Sequence, residues 1–259
     1  MLQTFISPEH KTLLEQNQLD SFDKAWAYEA DWFEEPNSRR GGWSGVGRLV
    51  LADLEGKALG VFLKRQENHL RRTFWHPLHG EPTFACEFRT MQYLAARDVP
   101  VPKPVFFAQQ QQDSNSRAIL MTEELVHFSP LETVTEEIFL NGKTTLATKR
   151  SILRGVAATV GKMHAAGIQH RSLYPKHLFV KMMDGADPQV VVIDLEKSRR
   201  KWISPLRTVY DLSTLDRHAR HWSRTARLYF FKNYMGVEKL TPWTRLLCRL
   251  IYKRSHRSR

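Results

Sequence analysis

The chain has 259 residues, 42% of them hydrophobic and 25% charged, and it carries a formal net charge of +12. Such a chain buries one large core or two small ones, which excludes disorder as its class. Its two cysteines, Cys86 and Cys248, stand far apart and outside any metal-ligand spacing, so neither a disulfide framework nor a zinc site is expected.

The N-terminal stretch MLQTFISPEHKTLLEQ has no basic segment followed by an apolar core. No later stretch reaches the ~20 apolar residues of a membrane span, so a soluble, cytoplasmic protein is expected. After an N-terminal extension, Arg48 to Ala52 and Leu59 to Lys64 are apolar, β-compatible runs, and Leu54-Glu55-Gly56-Lys57 between them predicts a hairpin. Gly42, Gly45 and Gly47 stand just before its first strand or at its start. A flexible loop there brings backbone N–H groups close to phosphates, although ordinary turns use the same residue.

Thr83 caps a predicted helix to about Arg97, with Phe84, Phe88, Met91 and Leu94 along one face. Glu87 falls on that inward stripe. A carboxylate pointing into a core needs a cation, and Lys64 at the end of the preceding strand is the nearest candidate. The plainer alternative leaves Glu87 at the edge of the stripe and Lys64 solvated.

Val99 to Pro104 must be extended, because its prolines restrict themselves and their predecessors. A strand, the polar loop QQQQDSNSR and a second strand, AILMTEEL, follow. A hinge near 124 to 128 then divides a β-rich part, 1–125, from a helical part, 126–259. Backbone groups of such a hinge, at Glu123 for example, can meet an adenine edge.

Ile152, Val156, Val160 and Met163 form a helical stripe that Gly167 stops. Next comes QHRSLYPKHLFV, which resembles the catalytic loop of a protein kinase, where His-Arg-Asp is followed five positions after the Asp by a metal-binding Asn. Those two places hold Ser172 and His177. Leu178 to Met183 and Gln189 to Ile193 are strand-like, and a hairpin symmetric about Gly185 and Ala186 sets His177 opposite Asp194.

Taken in order, ADWFEEPNSRRGGWSGV, RSLYPKHLFV and IDLEKSRR resemble the lipopolysaccharide core kinase family, which phosphorylates Kdo or heptose of the inner core, and in particular its InaA-like branch. The resemblance implies an α+β, two-lobed protein-kinase-like fold with a β-rich N-lobe and a mainly helical C-lobe. It implies ATP and Mg²⁺ as cofactors. By it, Lys64 contacts nucleotide phosphates, Glu87 holds Lys64, Asp194 binds Mg²⁺, and His177 occupies the second metal position, where imidazole suits a hard cation poorly. Asp211 resembles the helix Asp that braces the catalytic loop.

Only sixteen residues separate Asp194 from Asp211, too few for a peptide-binding activation segment, so a small or lipid-linked acceptor is expected. Lys197, Arg199, Arg200 and Lys201 in that stretch suit an anionic sugar-lipid. Without the Asp, the candidates to serve the acceptor hydroxyl are His170, His177 and Glu196 beside Ser172. The alternative is a catalytically weak kinase-like protein that binds nucleotide or lipid and regulates.

From Thr241 to Arg259 there are six Lys or Arg and no acid. Trp243, Leu246, Leu247, Leu250 and Ile251 recur there at helical spacing, as in a helix that lies on an anionic membrane surface or packs on the core. Nucleic acid is not an expected partner, since no interleaving of basic and aromatic residues extends beyond this tail.

Overall fold

A sheet with one covered face asks for an apolar residue at every second position. Residues 48–52 obey: Leu49 and Leu51 are 5% and 1% exposed, while Val50 between them is 56% exposed. The computed structural model describes residues 2–39, 41–72, 78, 80–112, 115–140 and 142–257. Its architecture is α+β, an antiparallel sheet followed by helices.

Two compact units divide the chain, Met1–Gln92 with Pro102–Glu124, and Tyr93–Val101 with Leu125–Arg259. The first contains β1 (Leu2–Ile6), α1 (Lys11–Gln16), α2 (Phe22–Ala27), β2 (Trp32–Arg39), β3 (Gly42–Ala52) and β4 (Ala58–Glu67). It continues through β5 (Leu70–Arg71), β6 (Glu81–Pro82), most of α3 (Thr83–Ala95), β7 (Pro104–Gln112) and β8 (Asn115–Glu123). Six strands form one sheet in the order β1-β7-β8-β4-β3-β2.

The β3–β4 turn is fixed by its own sequence. Asp53 Oδ1 accepts the N–H groups of Glu55 and Lys57 at 3.0 and 2.8 Å, and Gly56 takes φ 81°. The strands run further than predicted. β7 takes in the glutamines expected in a loop, pairing Gln110 with Arg117 and Gln111 with Ser116, because a backbone ladder at a sheet's end accepts polar side chains on its wet face. The expected loop tip, Asp113 and Ser114, lies outside the described residues.

The N-terminal segment is not an appended extension. β1 pairs with β7, and Leu14, Leu19 and Phe22, at 0%, 0% and 4% exposure, close one core cluster with Leu49, Val61 and Met121. Arg65 of β4 reinforces the join by donating to the carbonyls of Trp26 and Tyr28, both at 2.7 Å.

The second unit holds β9 (Ser129–Pro130), α4 (Leu131–Leu140), α5 (Leu146–Ala165), β10 (Ile168–Gln169), β11 (Leu178–Lys181), β12 (Gln189–Val192) and β13 (Arg199–Arg200). Helices α6 (Ser204–His218), α7 (Arg224–Met235) and α8 (Pro242–Ser255) complete it. Thr145 caps α5 by accepting from Thr148 N, and the predicted stripe Ile152, Val156, Val160 and Met163 is fully buried. Gly167, at φ 81°, ends that run as predicted.

The β11–β12 register differs from the expected one by a single residue. Leu178 pairs with Val192 and Lys181 with Gln189, so the hairpin centres on Gly185, which takes φ 71°. His177 therefore faces Ile193, whose N–H donates to the His177 carbonyl at 3.0 Å, and Asp194 is the first residue past the ladder.

Candidate functional site

In the first unit, β4 and α3 bring Lys64 and Glu87 together, with Nζ 2.7 Å from Oε1. Glu87 is 1% exposed at its side chain. A carboxylate that deep is expensive in a core unless ion-paired, and the ammonium meets that need. The same Nζ lies 5.8 Å from the Phe84 ring centre.

The glycines behave differently from expectation. Gly42, Gly45 and Gly47 lie inside β3, paired to β4 and β2, and not in a flexible loop. Close packing explains all three, and a Cβ on Gly47 would stand 2.8 Å from the Ala30 methyl. A Cβ on Gly42 would stand 2.1 Å from the Glu67 carbonyl oxygen, and one on Gly45 would stand 2.6 Å from the Trp32 ring.

Glu123 is likewise engaged. Its N–H donates to Lys103 O at 2.9 Å, and its carboxylate lies 3.2 Å from His10 Nε2 and 3.6 Å from Lys103 Nζ. The Glu123 amide is thus already bonded at the end of β8.

In the second unit, the loop after β10 is held from beneath. Asp211 of α6, fully buried, accepts from His170 N at 2.7 Å, Arg171 N at 2.9 Å and the ring of His164 at 3.0 Å. Tyr234 OH bridges His164 Nδ1 and Thr208, both at 2.8 Å. Desolvation pushes the Tyr234 hydroxyl pKa upward. The sequence carried no signal for His164 or Tyr234, since each lies far along the chain from the residue it serves.

Two non-glycine residues at this loop take left-handed backbone, Arg171 at φ 70° and Asp194 at φ 57°. The turn at Asp194 swings its carboxylate back toward the loop, so Oδ2 reaches His177 Nδ1 at 3.2 Å despite the shifted register. His177 Nδ1 also lies 2.8 Å from Ser172 O. A carbonyl only accepts, so Nδ1 carries the proton and Nε2 keeps the lone pair. Burial lowers the His177 pKa to about 3, and the neighbouring His170, Lys176 and Lys197 push the same way. The contact with Asp194 is therefore one between a carboxylate and an uncharged ring.

His170 is fully buried, and desolvation lowers its pKa as well. Its Nε2 donates to Ile193 O at 2.9 Å, while Nδ1 accepts from Ser172 N at 3.3 Å. Both ring nitrogens are thus occupied by backbone. Ser172, 5% exposed, stands between the two imidazoles in sequence and contributes its carbonyl to His177.

The cations after Asp194 serve several ends. Lys197 lies 3.6 Å from Glu196. Arg199 donates to Gln169 Oε1 at 3.2 Å, and the Arg200 guanidinium stacks 4.3 Å from the Tyr93 ring centre. With the β10–β13 pairing, the Arg199 bond fastens the basic stretch to the strand that precedes the loop.

As donor sets, the two regions differ in chemistry. Lys64, fixed by Glu87, suits phosphate oxygens. The Asp194 carboxylate offers hard oxygens for Mg²⁺, whereas His177, with its Nδ1–H directed at Ser172 O, has only the Nε2 lone pair to offer, a softer donor for such an ion.

Residues 23–234 match the family described as the lipopolysaccharide kinase (Kdo/WaaP) family. The chain is 31% identical over 216 residues to Protein InaA of Escherichia coli (strain K12), covering 82% of this chain and 96% of that protein. It is 26% identical over 125 residues to the lipopolysaccharide core heptose(I) kinase WaaP of Pseudomonas aeruginosa, covering 47% of this chain and 46% of that kinase. A solved structure of WaaP in complex with acyl carrier protein matches with a TM-score of 0.72 at 22% identity, over 97% of this chain and 98% of that one. At that identity the likeness speaks for the fold.

Proposed function

Since the chain belongs to the lipopolysaccharide kinase (Kdo/WaaP) family, we propose that it is an ATP-dependent phosphotransferase acting on an inner-core sugar, Kdo or heptose, at the cytoplasmic face of the inner membrane. The buried Lys64–Glu87 pair carries this reading. An ammonium clamped by a carboxylate keeps its charge and its aim, which is what a triphosphate asks of a kinase lysine.

Asp194 would hold Mg²⁺, which supplies charge neutralisation at the phosphates. Ser172, where kinases carry an aspartate, makes the transfer slow. A positioned base is worth roughly 10² to 10⁴ in rate, and positioning with charge stabilisation supplies the remainder. The lack of that carboxylate also favours a second reading, a kinase-like protein that binds nucleotide or lipid and regulates without turnover.

A single-turnover assay with labelled ATP and isolated core lipid separates the two. The enzyme reading expects slow transfer that Asp194→Ala abolishes and Ser172→Asp accelerates. Binding of ATP with no transfer above solvent background, in wild type and in Ser172→Asp alike, would establish the second reading.

A further inference from the structure

The C-terminal helix has two apolar faces, and only one of them is used. Thr244, Leu247, Ile251 and Ser255 are buried. Ser213 Oγ donates to Ile251 O at 3.3 Å, Ser255 Oγ to Asp216 Oδ2 at 2.6 Å, and Arg217 to the carbonyls of Arg254 and Ser255 at 2.9 and 3.1 Å. These bonds lock α8 onto α6 in one rotation. The second face is fixed outward by the same lock. Trp243, Leu246 and Leu250, three and four residues apart, share one stripe and are 51%, 45% and 42% exposed.

At 100° per residue, Lys253 continues that stripe into the last turn and Arg249 lies beside it, while Arg257 follows just past the end of the helix. Leu250, Lys253, Arg254 and Arg257 also line a groove of about 410 Å³ with Val209 and Arg217. Among the described residues, this lining holds two apolar side chains, four cations and no carboxylate. At the other end, Trp243 shares a cavity with Ser204 and Pro205, next to Trp202 and Ile203, which are 74% and 55% exposed. The outward face of α8 is thus apolar where it begins and cationic where it ends.

We propose that this face is a docking surface for an anionic phospholipid bilayer. Trp243, Leu246 and Leu250 enter the boundary between headgroups and acyl chains, while Arg249, Lys253 and Arg257 take lipid phosphates. Charge complementarity argues for lipid over protein. The stripe carries no acid from Thr241 onward, so it lacks the alternating charge by which one protein selects another. A deformable, uniformly negative surface needs none, and indole with long cationic side chains suits the interface. The inference deepens the reading of a lipid-linked acceptor and rests on it for its purpose, which is to hold the second unit where that acceptor lies.

The test is co-sedimentation of the full chain with vesicles of phosphatidylglycerol and phosphatidylcholine, against phosphatidylcholine alone. Wild type should pellet with the anionic vesicles at low salt and be released at high salt. Arg249→Ala with Lys253→Ala should weaken partitioning roughly 25-fold, about fivefold for each cation. Leu246→Ser with Leu250→Ser should weaken it as well and leave a remainder that salt removes completely. Both pairs are exposed and should keep the unfolding midpoint and its rise with Mg·ATP. Equal pelleting with neutral vesicles, or either double variant binding like wild type, would overturn the proposal. So would capture by polyglutamate without binding to anionic vesicles, which would assign the face to an acidic protein. Asp194→Ala should leave vesicle binding intact, and a wild type that binds anionic vesicles but shows no rise in unfolding midpoint with Mg·ATP would count only against the kinase reading.

Discussion

The Lys64–Glu87 pair and the His170 to Asp194 region are built by opposite means. The first stands on a regular strand and a regular helix and depends on two opposite charges 2.7 Å apart. The second stands on irregular backbone, with left-handed residues at Arg171 and Asp194, neutral imidazoles and one buried carboxylate gathering loop N–H groups. The difference separates what is dispensable for folding. A charge pair can be exchanged for apolar side chains of like volume with little loss of stability, whereas orphaned buried donors have no apolar substitute.

The sharpest test is therefore Asp211→Ala, which strands His170 N, Arg171 N and His164 at once. It should cost about 3–5 kcal/mol, read from denaturant unfolding. A cost under about 1 kcal/mol would show that the loop does not lean on α6.

Lys64→Ala comes next, at about 3 kcal/mol, because it leaves the Glu87 carboxylate buried and alone. The double variant Lys64→Met with Glu87→Leu should recover nearly all of that stability and still lose the thermal stabilisation that Mg·ATP gives wild type. Recovery of both would make the pair structural only and break the contrast between the regions.

The smallest effect is a pH slope. The folded-state pKa of His170 is depressed, so the ring is neutral in the fold and takes up a proton on unfolding. Its contribution is present above the unfolded value of about 6.5 and is lost as pH falls below it, at up to about 1.4 kcal/mol per pH unit. Unfolding measured between neutral pH and pH 5 should show this loss in wild type and a shallower slope in His170→Gln. Identical slopes would remove His170 from the account.

Local patterns made much of the chain legible. The β3–β4 hairpin follows from apolar alternation and the Asp53–Gly56 turn, α5 from its 3.6-residue stripe and the Gly167 stop, and the Lys64–Glu87 contact from a carboxylate on an inward stripe. The family was legible as well, in segments that keep their order. Other features depend on partners distant in sequence. The first residues join the sheet because β7 offers an edge to β1. Gly42 and Gly45 are demanded by a neighbouring carbonyl and a neighbouring ring that no local pattern announces.

What the sequence by itself determined is the three hairpins, the helices α3, α5 and α8, their order and the Lys64–Glu87 pair, because these arise from periodicity, turn chemistry and the expense of burying an ion. Only the tertiary structure decided the register of β11 on β12, the left-handed turn that returns Asp194 to His177, and the rotation that buries Leu247 while leaving Leu246 exposed. A one-residue slip or one helical step of rotation leaves composition and periodicity unchanged. Side-chain packing and long-range hydrogen bonds choose among such near-equivalent arrangements, and those contacts exist only once the chain has folded.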